Sequence, residues 1–267
     1  VDTGIDYRNP IFLGSDRSTR ILGLWDQTEE GPGIMMGNIL EDIPYGREYT
    51  REEINRALEA EDPFSVVPSR DESGHGTLLA GIAAGNETDS ASFTGAAPEA
   101  FLAVVKLKQA KQYLRDYYLI PSSSEAYQEN DIMMGMDFAV RIANDRRMPL
   151  SLCLGIGSSQ GAHIGKNPLS LYVDYISQYS LISVSVAAGN EGAARHHYAG
   201  RLTERENQAL AELRVGNKEP GFTMEFWGEP PEIYNLSLQS PTGEILDISA
   251  SLGAVTQELS FVFVETR

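Results

Sequence analysis

Three side chains in this 267-residue chain have the types and order needed for acyl-transfer chemistry: Asp2, His75 and Asn190. A serine hydroxyl is a weak nucleophile at neutral pH, so a histidine must take its proton and a carboxylate must hold that histidine in one tautomer. His75 sits in Asp71-Glu72-Ser73-Gly74-His75-Gly76-Thr77, at the mouth of a segment rich in glycine and alanine. Small residues allow close backbone packing there, and an imidazole at the start of a helix can face a cleft. Asp2, in Val1-Asp2-Thr3-Gly4-Ile5-Asp6, is the candidate orienting carboxylate. Asn190, in Ala187-Ala188-Gly189-Asn190-Glu191-Gly192, offers an amide to a developing oxyanion. Each motif alone has a plainer reading. Asp-Thr-Gly also marks aspartic peptidases, where two carboxylates share a proton, but no second Asp-Thr-Gly or Asp-Ser-Gly occurs. A lone histidine at a helix start is commonly solvated, and asparagine is an ordinary turn residue.

The elements that would position these groups alternate between strand and helix up to about residue 200, as in a parallel sheet with crossover helices. Ile21 to Trp25 reads as a strand, and Thr50-Arg51-Glu52-Glu53 is a capping box opening a helix that runs to about Ala60. The helix begun at His75 runs to Ala84 with Gly85 as its stop. Ala100 to Leu107 is a near-continuous apolar strand, as expected where both faces are covered. Ile132, Met136, Ala139, Val140 and Ala143 fall on one helical stripe, Leu150 to Leu154 is the next buried strand, and Leu169, Tyr172, Val173 and Ile176 repeat the helical spacing. Leu181 to Ala187 is the strand that delivers Asn190. In such sheets ligands sit beyond the carboxyl ends of the strands, where Asp2 and Asn190 both fall. Gln109 to Ser124 is a tyrosine-rich polar excursion read as a surface insertion.

In this order, Asp-Thr-Gly, His-Gly-Thr and Ala-Gly-Asn resemble the subtilisin-like serine peptidases (subtilases, peptidase family S8). The resemblance implies a three-layer α/β fold with a mainly parallel sheet and a serine endopeptidase acting on protein or peptide substrates. Asp2 would orient His75, His75 would act as base and acid, and Asn190 would line the oxyanion hole. Ser151-Leu152-Cys153-Leu154-Gly155-Ile156-Gly157 resembles the family's substrate-binding strand, so Cys153, Leu154, Gly155 and Gly157 would pair with the peptide and frame the first specificity pocket. Cys153 stands where a serine is usual and reads as a buried cysteine behaving as a small apolar residue. The opposite substrate edge is placed near Glu125 to Tyr127.

One part of that machinery is missing. The family's nucleophile lies in a Gly-Thr-Ser-x-Ala-x-Pro type segment after the asparagine, and nothing of that form occurs between Asn190 and Arg267; Ser240, Ser249 and Ser251 lack the setting. Only Val1 precedes Asp2, which should close a buried strand. The expectation is a piece of a longer polypeptide, inactive by itself, whose serine lies outside it. The alternative is a catalytically inactive pseudopeptidase that keeps the cleft as a binding or signalling module.

After about Thr203 the pattern changes. Ala209 to Val215, Phe222 to Trp227, Ile233 to Gln239, Ile245 to Ile248 and Leu259 to Val264 read as short strands separated by turn signals, the opening of a β-sandwich or jelly-roll. The expected organisation is a peptidase domain over residues 1–203, incomplete at both ends, and a partial jelly-roll insertion over 204–267. A β-domain at this place, with Leu22-Gly23-Leu24-Trp25-Asp26-Gln27 and Gly161-Ala162-His163, resembles the clostridial Csp subtilases of spore germination, a group that includes inactive members.

Composition narrows the partners. With 38 acidic against 21 basic residues and a net charge of -17, nucleic acid and anionic membrane are disfavoured. No apolar run reaches transmembrane length and no signal peptide is present. A secreted, cell-surface or spore-associated setting and an own pro-segment are implied by the resemblance rather than by composition. Cys153 is the single cysteine, so no internal disulfide forms. His163, His196 and His197 do not read as a metal site, since neighbouring histidines diverge and no carboxylate or cysteine stands at ligand spacing. No cofactor is required; a structural calcium, common in the family, would have the oxygen-rich loop Asn86-Glu87-Thr88-Asp89, which matches no ligand pattern.

Overall fold

The computed structural model describes residues 1–36, 42–88, 92–161, 163–217, 221–228 and 231–248. The chain divides into two compact units, Val1–Thr223 and Met224–Arg267.

The first unit is built around parallel strands. β1 (Ile21–Asp26) pairs antiparallel with β2 (Arg47–Thr50) on one side and parallel with β3 (Leu102–Lys106) on the other, giving the order β2-β1-β3. Ile21, Leu24 and Trp25 are fully buried, so β1 is the centre of this sheet in packing as well as order. α1 (Arg51–Glu59) starts at the expected capping box, with the Thr50 hydroxyl accepting from the Glu53 amide and the Glu53 carboxylate accepting from the Thr50 amide. α2 (His75–Ala84) has the expected bounds, and its C-terminal end is tied down by the buried Arg20 guanidinium, which donates to the Ala84 carbonyl at 2.5 Å. α3 (Gln112–Tyr117) forms inside the polar excursion, where Arg115 is buried and donates to the side chain of Gln109 and the carbonyls of Pro121 and Ser124. α4 (Glu129–Arg146) buries Ile132, Met136, Ala139 and Ala143 on one stripe; Val140, expected on that stripe, is half-buried. β4 (Leu150–Leu154), α5 (Pro168–Ser177) and β5 (Ile182–Val186) follow, with β4 and β5 parallel and in unbroken register from Leu150↔Ile182 to Leu154↔Val186.

The two ladders are joined by the first residues of the chain. Asp2 bridges Lys106 in parallel, its amide donating to Val105 at 3.0 Å and its carbonyl accepting from Leu107 at 2.9 Å. The Val1 ammonium donates to the Cys153 carbonyl at 3.4 Å. Asp2 is therefore held between the carboxyl ends of β3 and β4, and α4 lies against the same place, where Gly135 faces Val1 and Val105.

Two expectations fail here for physical reasons. β4 is not buried on both faces: Leu152 and Leu154 point into the core while Ser151 and Cys153 are exposed, and Ser183 and Ser185 of β5 repeat the pattern. A strand alternates its side chains strictly, so only the set facing α4 and α5 is covered. Cys153 is thus an exposed thiol, not a buried apolar one.

In the second unit the only strands among the described residues are β6 (Ser237–Gln239) and β7 (Ile245–Asp247), an antiparallel hairpin closed by the expected Ser240-Pro241-Thr242-Gly243 turn, with Gly243 at φ +97. Residues 209–215 and 222–227, expected as strands, have no ladder partner among the described residues and leave Leu210, Phe222 and Trp227 exposed. An alternating pattern states which face a strand would bury, but a strand exists only when another chain segment supplies its hydrogen bonds. The expected strand at 259–264 lies outside the described residues.

Candidate active site

The Asp2 carboxylate and the His75 imidazole, 73 residues apart in sequence, are in direct contact: Oδ1 of Asp2 lies 2.6 Å from Nδ1 of His75. Asp2 is 7% exposed and the His75 side chain 42%, so the carboxylate is set in the protein and the ring projects from it into solvent. Asp2 Oδ1 also accepts from the Thr3 amide at 2.8 Å, which fixes the carboxylate against its own backbone. The hydrogen bond from the ring to Asp2 is the largest influence on His75 and holds its pKa above the ordinary histidine value; burial opposes this, and the charges of Asp2, Glu125 and Asp71 add to it. A ring held this way has one nitrogen occupied by a carboxylate and the other free for a reacting hydroxyl.

Glycine makes room for the pair at two points. A Cβ on Gly76 would lie 2.2 Å from the Gly4 carbonyl oxygen, so only glycine lets the start of α2 approach the Asp2 segment this closely. A Cβ on Gly155 would lie 2.0 Å from Leu79 Cδ1, 2.5 Å from Asp2 Oδ2 and 3.3 Å from His75 Cε1. Gly155, expected among the substrate-strand residues, therefore forms one wall of the Asp2–His75 contact.

Sequence reasoning missed Asp71. Its carboxylate accepts four hydrogen bonds: from the Thr3 hydroxyl at 2.8 Å and the Gly74 amide at 3.0 Å on Oδ1, and from the Thr77 amide at 2.8 Å and hydroxyl at 2.5 Å on Oδ2. Burial pushes its carboxyl up, but the bonds from Thr77, Thr3 and Gly74 together outweigh this and hold it below the usual carboxylate range. The signal was present, an acidic residue four positions before a histidine at a helix start, but its partner Thr3 lies far away in sequence.

The remaining expected residues are placed as follows. Leu154 is buried in the core, and its carbonyl accepts from the Ala187 amide at 2.9 Å, bringing the loops that follow β4 and β5 together. Gly157 faces the Ala187 carbonyl across ordinary contact distance, 3.6 Å from an ideal Cβ. Asn190 stands exposed three residues further on, after Gly189 in the left-handed region at φ +83. Asp2, Gly155 and Asn190 thus all follow or adjoin the carboxyl ends of parallel strands. Glu125 and Tyr127, expected at the opposite edge, lie close enough that Glu125 acts on His75, while burial first, and then Glu125, push the Tyr127 phenol up.

His196 and His197 have different partners: His196 Nδ1 meets Glu191 Oε2 at 3.0 Å, a carboxylate the sequence spacing did not suggest, and His197 stacks on His163 with ring centres 4.5 Å apart. Among the described residues no three His, Cys, Asp or Glu side chains converge as a metal ion requires. Of the oxygen-rich loop, Asn86 turns its amide to the Leu13 carbonyl, and Asp89 lies outside the described residues, as does Ala162. Among the described residues no helix is long and apolar enough to cross a membrane.

No curated protein matches the chain. Among solved structures, the CspB protease of Clostridium perfringens is similar at 31% identity and a TM-score of 0.59, over 73% of this chain and 36% of that one. The chain therefore spans little more than a third of the structure it resembles. The pattern of the Subtilase family (peptidase S8) matches residues 1–217, a stretch that includes the Asp2–His75 contact, the β4 edge and Asn190. This chain belongs to the subtilase family.

Proposed function

We propose that the chain carries the carboxylate, the base and the oxyanion donor of a serine endopeptidase whose nucleophilic serine lies outside these 267 residues. The observation that carries this reading is the 2.6 Å contact between Asp2 Oδ1 and His75 Nδ1. Asp2 holds the imidazole in the tautomer whose free nitrogen takes the serine proton; His75 then returns that proton to the leaving amine. The Asn190 amide stabilises the tetrahedral oxyanion, and the segment at the carboxyl end of β4 with Cys153, Leu154, Gly155 and Gly157 pairs with the extended substrate. Protein or peptide chains are the substrates, with no metal or cofactor assigned a role. The residues after about Thr203 begin a β unit of jelly-roll type.

A fluorophosphonate probe tests this, because it needs an activated serine hydroxyl. The full-length parent should label, and His75→Ala should abolish labelling. The 267-residue chain alone should not label. A folded, processed and unlabelled parent would favour a catalytically inactive relative that uses the cleft as a binding or signalling module.

A further inference from the structure

The Asp2–His75 contact joins two segments that no shared ladder holds together. Asp2 belongs to the chain beside β3, and His75 is the first residue of α2. The helix start has no cap of its own, since Gly74 is left-handed at φ +78 and brings no side chain. Its free amides are satisfied from outside: Gly76 donates to the Thr3 hydroxyl at 2.9 Å and Thr77 to Asp71. The two threonines act reciprocally. Thr3, on the Asp2 segment, accepts from α2; Thr77, on α2, accepts from the Asp6 amide at 2.9 Å, on the Asp2 segment. Both hydroxyls are left with one proton to donate, and both donate it to Asp71.

We infer that Asp71 is a positioning residue for the Asp2–His75 pair, closing through Thr3 and Thr77 a clasp that sets the distance between the two segments. The inference rests on the reading of Asp2 and His75 given above. Each Asp71 oxygen faces a backbone amide, Gly74 on Oδ1 and Thr77 on Oδ2, so an asparagine would turn its NH2 toward an obligate donor in either orientation. Only an ionised carboxylate satisfies all four bonds. Thr3 must both donate and accept, which valine cannot and serine can. Asp71 touches no reacting atom; it acts by holding the residues that do.

The test is a pH titration of the His75 ring by NMR in 15N-histidine-labelled chain, comparing Asp71→Asn, Thr3→Val and Thr3→Ser with Asp2→Asn. Because the readout is the ring itself, it does not depend on a serine or on catalysis. The clasp predicts that Asp71→Asn and Thr3→Val lower the His75 pKa by about half a unit or more and weaken the downfield Nδ1 proton signal, while Thr3→Ser restores both. If Asp71→Asn does not fold, the Thr3→Val and Thr3→Ser pair decides. An unchanged His75 titration in Thr3→Val, with Asp2→Asn still lowering it, overturns the clasp and leaves the peptidase reading intact. A His75 that does not respond to Asp2→Asn overturns the dyad, and the clasp with it.

Discussion

The two halves of the candidate site are held in different ways. Beside Asp2 and His75, Thr3, Asp71, Gly76 and Thr77 form a closed set of hydrogen bonds, and Gly76 and Gly155 bring backbone within contact distance. Around Asn190, the side chains are exposed; within the loop after β5 His196 meets Glu191 at the surface, and the loops after β4 and β5 meet through a stacked pair of rings, His163 on His197. Hydrogen bonds in a connected, part-buried set are costlier to break than exposed pairs, which contribute little. The Asp2–His75 pair is thus held by hydrogen bonds within the first unit, while Asn190, the proposed oxyanion donor, follows a left-handed glycine among solvent-facing side chains.

Substitutions should expose that asymmetry. The largest effect is expected at Asp2: Asp2→Asn in the parent should lower kcat by roughly 10⁴-fold, because the ring loses its tautomer and the charge that stabilises imidazolium. A drop of less than about tenfold would mean that the 2.6 Å contact does not operate in catalysis. Asn190→Ala should follow, lowering kcat by roughly 10² to 10³-fold with KM little changed. A loss confined to KM would instead assign Asn190 to ground-state binding.

Gly155→Ala should destabilise the chain by about 1 to 3 kcal/mol in thermal or urea unfolding, since the new methyl meets Leu79 and the Asp2 carboxylate. Wild-type stability in this variant would show that β4 shifts freely against the dyad. At the other extreme, Glu191→Gln should change stability by no more than about 0.5 kcal/mol, as expected for a pair whose side chains are both 60% exposed. A large change there would overturn the contrast between the two halves.

The pH dependence has a definite sign. The folded pKa of His75 lies above its unfolded value, with the hydrogen bond the ring donates to Asp2 the leading cause. Its contribution to stability is therefore fully present below about pH 6.5 and lost as pH rises through the raised value. Base catalysis needs the neutral ring, so probe labelling of the parent should rise with pH through that same raised value. In Asp2→Asn the residual labelling profile should move to lower pH. A profile that stays in place would assign the acid limb to another group.

Much of this was legible in the residues. The capping box at Thr50, the helix from His75 to Ala84, the parallel strands at 102–106, 150–154 and 182–186, and the order aspartate, histidine, asparagine all follow from local chemistry: caps, periodicities and motif spacing. Local signals failed where the outcome depends on a distant partner. Residues 209–215 carry a strand pattern, but among the described residues no segment pairs with them. Cys153 lies in an apolar run, yet its face of β4 is open.

The sequence by itself determined which groups are available for chemistry and on which elements they ride, because a carboxylate, an imidazole and a helix start are properties of a few neighbouring residues. Only the tertiary structure decided that Asp71, Thr3 and Thr77 bind one another across 68 and 6 positions, and that Gly155 closes on Asp2 and His75. Those facts depend on where the backbone returns after long excursions, and a hydrogen bond between segments exists only once the packing of the sheet and α2 has fixed both of its ends.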